Sequence, residues 1–283
     1  MAEKQKLFCE ISPAAYKLSV LKCRSVRFCK DAISRRGFAE TLQREKLPAL
    51  IYAHKSLIRR KLGDVDMRLQ ENKAINLGLA APKVSGVIIK PGETFSFWNL
   101  VGSCTGRKGY KEGLMIDSGE VKSCVGGGMC QFTNLIHWLI LHTPLEITEH
   151  HHHDGIDMFP DYGRKIPFGM GTAIMYNYLD YRFFNNSDMV FQLIVHTTDE
   201  YLCGEIRAEK PIRVKYHISV EGEYFSEENG VYYRNNLIYR ECKEKSSHEL
   251  MERRLLKSNH AKVMYDLKFI DKSKIRPAIC GDS

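Results

Sequence analysis

The segment Ser123-Cys124-Val125-Gly126-Gly127-Gly128-Met129-Cys130-Gln131-Phe132, with the apolar run TNLIHWLIL after it, constrains this chain more than any other. Three consecutive glycines lose backbone entropy inside a regular element, so they mark a turn. Gln131 to His142 then reads as helix, three turns long at about 1.5 Å per residue. An apolar helix of that length needs a sheet to cover it, and strand-like stretches flank it on both sides. The expected class is α+β: basic helices at the N-terminus, a mixed domain with a central Cys-bearing helix on an antiparallel sheet, and a β-rich C-terminal tail.

Composition sets the outer limits. With 283 residues, 43% of them hydrophobic, the chain can bury a core as one large domain or two modest ones. No run of about 18 apolar residues occurs and the N-terminus lacks a secretory stretch, so a soluble, cytoplasmic protein is expected, without a transmembrane segment. Nine cysteines in so long a chain fit free thiols in a reducing compartment. The net charge is +8, but residues 1–62 alone carry +10. That basic segment suits an anionic partner, or it is a solvated helix face.

Ser12-Pro13 forms an N-cap and first-turn pair, opening a helix that Gly37 would stop. A second helix is expected from Ala49 to Leu62, on the stripe Leu50, Ile51, Leu57, Ile58, Leu62. A third covers ENKAINLGLAAPKVSG, disturbed by Pro82, with the strand VIIK after it. GETFSFW reads as a half-buried strand and GLMIDSGEVKS as a hairpin turning at Ser118-Gly119. Leu145 to His153 reads as a strand. AIMYNYLDYRFF and MVFQLIVHTT read as an antiparallel hairpin. The tail alternates as well, and SHELMERRLLKS is ambiguous between helix and strand. The expected organisation is a basic segment over 1–70, a central domain over 71–200, and an extension over 201–283 packed on it.

A cysteine in the first turn of a helix feels the positive end of the dipole, which favours thiolate. Cys130 is therefore a candidate nucleophile, and the amides of Gly126, Gly127 and Gly128 are candidate oxyanion donors, with Gln131 beside them for substrate. A base is needed. With a period of two, Leu145, Ile147, Glu149, His151 and His153 share one face of the following strand, so His151 and His153 are expected to reach Cys130. The same residues suit zinc, or a core thiol beside a loop of histidines. No cofactor or resident metal is expected, and nucleic acid is not an expected partner.

These residues resemble the VanW family. The likeness is carried in order by PGETFSFWNLVG (91–102), GYKEG (109–113), GGGMCQ (126–131), EHHHH (149–153) and LDYRFFNN (179–186), over roughly residues 72–200. The resemblance implies a bacterial cell-wall connection, a link to vancomycin resistance and, for some multidomain members, an L,D-transpeptidase activity with the cysteine as nucleophile. Carried over, Cys130 would attack a peptidoglycan-related peptide carbonyl, with His151 or His153 as base. Where the family carries Gly-x-Asp this chain has Gly169-Met170-Gly171, so Asp180 or Glu149 would take the part of orienting the base. The alternative is a non-catalytic protein that binds a cell-wall fragment or a partner.

Overall fold

A computed structural model describes residues 8–34, 37–60, 66–117, 120–152, 155–161 and 163–277. The first helix, α1 (Pro13–Ile33), starts where the cap predicts: Ser12 Oγ accepts the Ala15 amide at 3.1 Å, and proline opens the first turn. Ala15 is its buried residue. Polar side chains fasten it to the body.

The segment expected to be a second helix is a strand. After β1 (Gly37–Phe38), β2 (Ala49–Leu57) pairs antiparallel with β11 (Tyr201–Ala208). Tyr52 lies opposite Ile206 and Leu50 opposite Arg207, so Ile51 is the extra residue of a bulge. The bulge brings Leu50 and Ile51 together in sequence seven residues before Leu57 and Ile58. That spacing imitates a helical stripe.

The helix α2 (Met67–Val84) is capped by Asp66 and contains Pro82 in its last turn. Then come β3 (Val87–Ile89), β4 (Glu93–Ser96) and α3 (Phe97–Val101). β4 is buried along most of its length, where a half-buried strand was expected. The hairpin β5 (Glu112–Asp117) and β6 (Glu120–Val125) forms with Asp117 opposite Glu120, its two turn residues lying outside the described residues. The central helix is α4 (Met129–Ile140), followed by β7 (Glu146–Glu149), β8 (Ile156–Asp157), β9 (Arg182–Phe184) and β10 (Phe191–Thr197). The last strands are β12 (Val214–Glu228), β13 (Val231–Glu244), β14 (Leu250–Val263) and β15 (Ile275–Pro277).

The fold is α+β, and among the described residues the strands lie in four sheets. The central one runs β2-β11-β10-β3, all antiparallel. A second runs β1-β4-β9-β7, so β9 and β10 belong to different sheets and do not form the expected hairpin. The third is β5-β6. The fourth, β15-β12-β13-β14-β8, is built mostly from the tail, with β8 reaching across to pair parallel with β14. SHELMERRLLKS is thus strand. The tail divides, because β11 completes the central sheet while the remainder makes a sheet of its own.

The core lies between α4 and the central sheet. Phe132, Leu135, Ile136 and Leu139 are fully buried, and each contributes about 1.5–3 kcal/mol of transfer free energy. A side chain at Gly204 of β11 would strike Leu135 and Leu139, so this position lets helix and sheet close up. A smaller cluster, Trp138, Leu141, Met170 and Ile238, joins the helix to the tail sheet.

Candidate functional site

The glycines before α4 serve packing first. Gly127 lies against the backbone of Gly113 in β5, where a Cβ would collide with the Gly113 carbonyl group. Gly128 caps the helix at φ +95°, and a Cβ there would meet the aliphatic stem of Lys73. The Gly126 amide donates to Lys111 O at 2.9 Å and the Gly127 amide to Cys124 O at 3.0 Å. Both are therefore engaged, leaving the amides of Gly128, Met129 and Cys130 as the first-turn donors of α4.

Cys130 lies in the first helical turn, in the wall of a cleft of about 780 Å³. The residue keeps some contact with solvent, yet its sulfur is packed deeply. Burial pushes the thiol above its usual value, against the opposing pull of the Ile174 amide and its own. The helix dipole was expected to lower it. Desolvation wins because it acts on the whole charge, whereas the dipole offers only a partial one.

The histidines divide by parity, and the parity is shifted. β7 pairs with β9 with Ile147 opposite Phe183 and Glu149 opposite Arg182, so Thr148 is an extra residue. Beyond it the inward positions are even. The His150 ring lies 4.0 Å from that of His137 of α4 and 3.9 Å from that of His152. Burial, then the neighbouring His152, brings His150 down to about 3, and burial holds His137 well below its usual value. His152 lines the cleft with Cys130. His151 bonds Glu149 at 2.9 Å through Nε2 instead, and His153 lies outside the described residues.

Glu149 is the centre of a paired network. Arg27 of α1 grips both its oxygens at 2.5 Å, and the Asp180 amide donates to it at 2.9 Å. Burial raises the Glu149 carboxyl, but Arg27, His151 and that amide together hold it below the usual range. Arg182 bonds Asp31 of α1 through two contacts of 2.7 Å and Asp180 at 2.8 Å. Asp180, 1% exposed, also accepts from Ser96 Oγ and the Trp98 amide. The two carboxylates named as orienting candidates thus strap α1 to the family motifs, and Glu149 orients His151 on that same side.

Across the cleft the charges are of another kind. Lys73, 7% exposed, donates to Gln70 Oε1 at 2.6 Å. Burial, then Arg60 and Arg59, brings Lys73 down to about 7. Its position on α2 carries a sequence signal: Gln70, Lys73, Leu77, Ala80 and Val84 follow a 3-4 spacing, so a lysine stands in the buried stripe. Gln131, named for substrate, lines the cleft while donating to Ser56 Oγ and Leu57 O at 2.9 and 2.8 Å. Among the described residues no group of three or more His, Cys, Asp or Glu is arranged to hold a metal, and no helix is long and apolar enough to cross a membrane.

The VanW family, described as VanW like protein, matches residues 72–207, which holds Lys73, Cys130, His152 and Asp180. The chain is 34% identical over 230 residues to the vancomycin B-type resistance protein VanW of Enterococcus faecalis, covering 81% of this chain and 83% of that protein. It is also 30% identical over 118 residues to the uncharacterized protein YoaR of Bacillus subtilis, covering 41% of this chain and 36% of YoaR. No solved structure matches. With more than four-fifths of its length aligned to the Enterococcus protein and the glycine, cysteine and histidine motifs in order, this chain belongs to the VanW family.

Proposed function

We propose that this protein is a cysteine-dependent acyl transferase or amide hydrolase of L,D-transpeptidase type, acting on a peptidoglycan-related peptide. The link to vancomycin resistance carried by the name of the Enterococcus relative would then extend to this chain. The observation that carries the reading is the place of Cys130, at a helix N-terminus in the wall of a substrate-sized cleft that His152 also lines. In this reading Cys130 Sγ attacks the peptide carbonyl carbon. The thiol proton passes through the base to the leaving amine, a thioester forms, and water or a second amine takes the acyl group. His152 is the base among the described residues, and first-turn amides of α4 face the developing oxyanion. Because burial holds the thiol up, the base takes the proton as Sγ attacks, rather than a thiolate standing ready.

The test is a peptide acyl donor followed by intact-mass measurement. A thioester adduct on Cys130, absent in Cys130→Ala with an unchanged melting temperature, is expected. A Cys130→Ala chain that turns over donor like the parent would end this reading. A second reading, ligand binding without chemistry, is favoured by the raised thiol and by the commitment of His151 to Glu149 and of Glu149 to Arg27. It predicts tight peptide binding with no adduct at any pH.

A further inference from the structure

The lining of the cleft holds six lysine and arginine side chains and one carboxylate, Asp157. Asp157 is already bonded to Arg234 at 3.3 Å and to the Tyr265 hydroxyl at 3.0 Å, with Arg164 also within electrostatic reach. The remaining cations act on one another. His54 lies within electrostatic reach of Lys165 and Arg60, Arg60 of Arg164, and Lys73 of Arg60 and Arg59, each being lowered by burial first and by those neighbours next. Arg164 is paired with Asp161 at 2.7 Å. Arg60, Lys73 and Lys165 have no carboxylate partner among the described residues. The guanidinium of Arg60 donates to the Leu57 carbonyl at 3.4 Å, a long contact.

Buried donors point to the same deficit. An ammonium has no acceptor, so the bond from Lys73 fixes the Gln70 amide with its oxygen toward Nζ. That leaves Gln70 Nε2, on a side chain 1% exposed, without an acceptor, and Arg164 Nε is in the same state. Both residues line the cleft. Unpaired buried donors occur elsewhere too, as at Arg234 Nε and Arg240 Nε, but here they coincide with repelling cations in one cleft, and that coincidence marks a place kept for function rather than for stability. A negative ligand with acceptor oxygens would relieve both together.

We propose that the cleft beside Cys130 is an anion-binding site, taking a small molecule that carries a carboxylate or phosphate group on Arg60, Lys73 and Lys165, with Gln70 Nε2 donating to the same group. The inference rests on the cleft being the functional site, and not on any thiol chemistry within it. A volume of about 780 Å³ accommodates a ligand well beyond a bare ion, so the anion is one end of a larger molecule whose other end lies toward Cys130.

The experiment is thermal melting of the full chain at pH 7 with inorganic phosphate, pyrophosphate or glutarate, each against sodium chloride of equal ionic strength. A saturable rise in melting temperature above the chloride control is expected with at least one of them. A rise with phosphate or pyrophosphate alone assigns a phosphorylated ligand, and one with glutarate alone a carboxylate. Lys165→Gln and Arg60→Gln should weaken the half-saturating concentration by about tenfold or more, the loss of a charge-assisted hydrogen bond. Lys73→Met should lose the response while melting no lower than the parent. No rise beyond chloride, or parental responses in all three variants, overturns the proposal. Cys130→Ala should keep the anion response, and a parent chain that binds anion but forms no acyl adduct refutes the acyl-transfer reading and leaves this one standing.

Discussion

Two charged regions of the molecule are built on opposite terms. On the α1 side, Arg27 and Arg182 are set against Glu149, Asp180 and Asp31, and each carboxylate is hydrogen-bonded through both oxygens. On the cleft side, Arg60, Lys73 and Lys165 stand without carboxylates among the described residues, and the buried donors Gln70 Nε2 and Arg164 Nε lack acceptors there. The first arrangement satisfies every group it buries, while the second leaves its groups to be satisfied from outside. Burial of charge alone therefore does not identify a functional wall. Unmatched charge is what the proposed anion site rests on.

Breaking the paired side should have the largest effect. Asp180→Ala leaves Arg182 and the Ser96 hydroxyl without their shared acceptor, and a loss of roughly 3–5 kcal/mol in urea unfolding is expected. Acid acts on the histidine stack between the two regions. His137 and His150 stay neutral when folded and take up protons when unfolded below about 6.5, so the unfolded state binds more protons. Stability from this pair should be fully present above about 6.5 and decline as pH falls toward about 3, a slope that melting curves would read and that His150→Phe should flatten. Arg27→Met removes the strap on Glu149, and a loss of about 2 kcal/mol, with faster proteolytic release of α1, is the expected outcome. Lys73→Met should go the other way, from no change to a gain of about 2 kcal/mol, because it removes a repelled charge and keeps the packing stem over Gly128. Cys130→Ala should alter unfolding by no more than about 1 kcal/mol. A loss as large as that of Asp180→Ala would make the cysteine a packing residue.

The sequence makes local signals legible and long-range ones obscure. Ser12 and Pro13 announce α1, and the glycine triplet announces α4, because caps and turns are decided within a few residues. The strand β2 is hidden, since its bulge at Ile51 opposes a strand about 150 residues away and breaks the alternation that would reveal it. The bulge at Thr148 has the same effect on the site, moving His152 rather than His151 to the cleft wall. Both errors come from a residue that only its partner strand shows to be extra, one making a strand imitate a helical stripe and the other shifting a period of two. Lys73 was legible as a lysine within an apolar stripe but reads by residue type as a surface position. What no local pattern contains is the Arg27 to Glu149 clasp, which joins residues 122 apart.

The pairing of β2 with β11 also bears on what is inherited as a unit and what folds as one. The family signature begins at residue 72, yet β2 lies wholly before it and forms one edge of the central sheet, and Arg60 of the cleft follows at its end. A recombinant fragment trimmed to 72–207 would therefore bare the hydrogen-bonding edge of β11, where Leu202 and Ile206 are buried in the whole chain, and would carry only part of the cleft wall. Expression of the signature alone should yield an aggregating sheet, and comparative work on this family is better framed from the strand that precedes it.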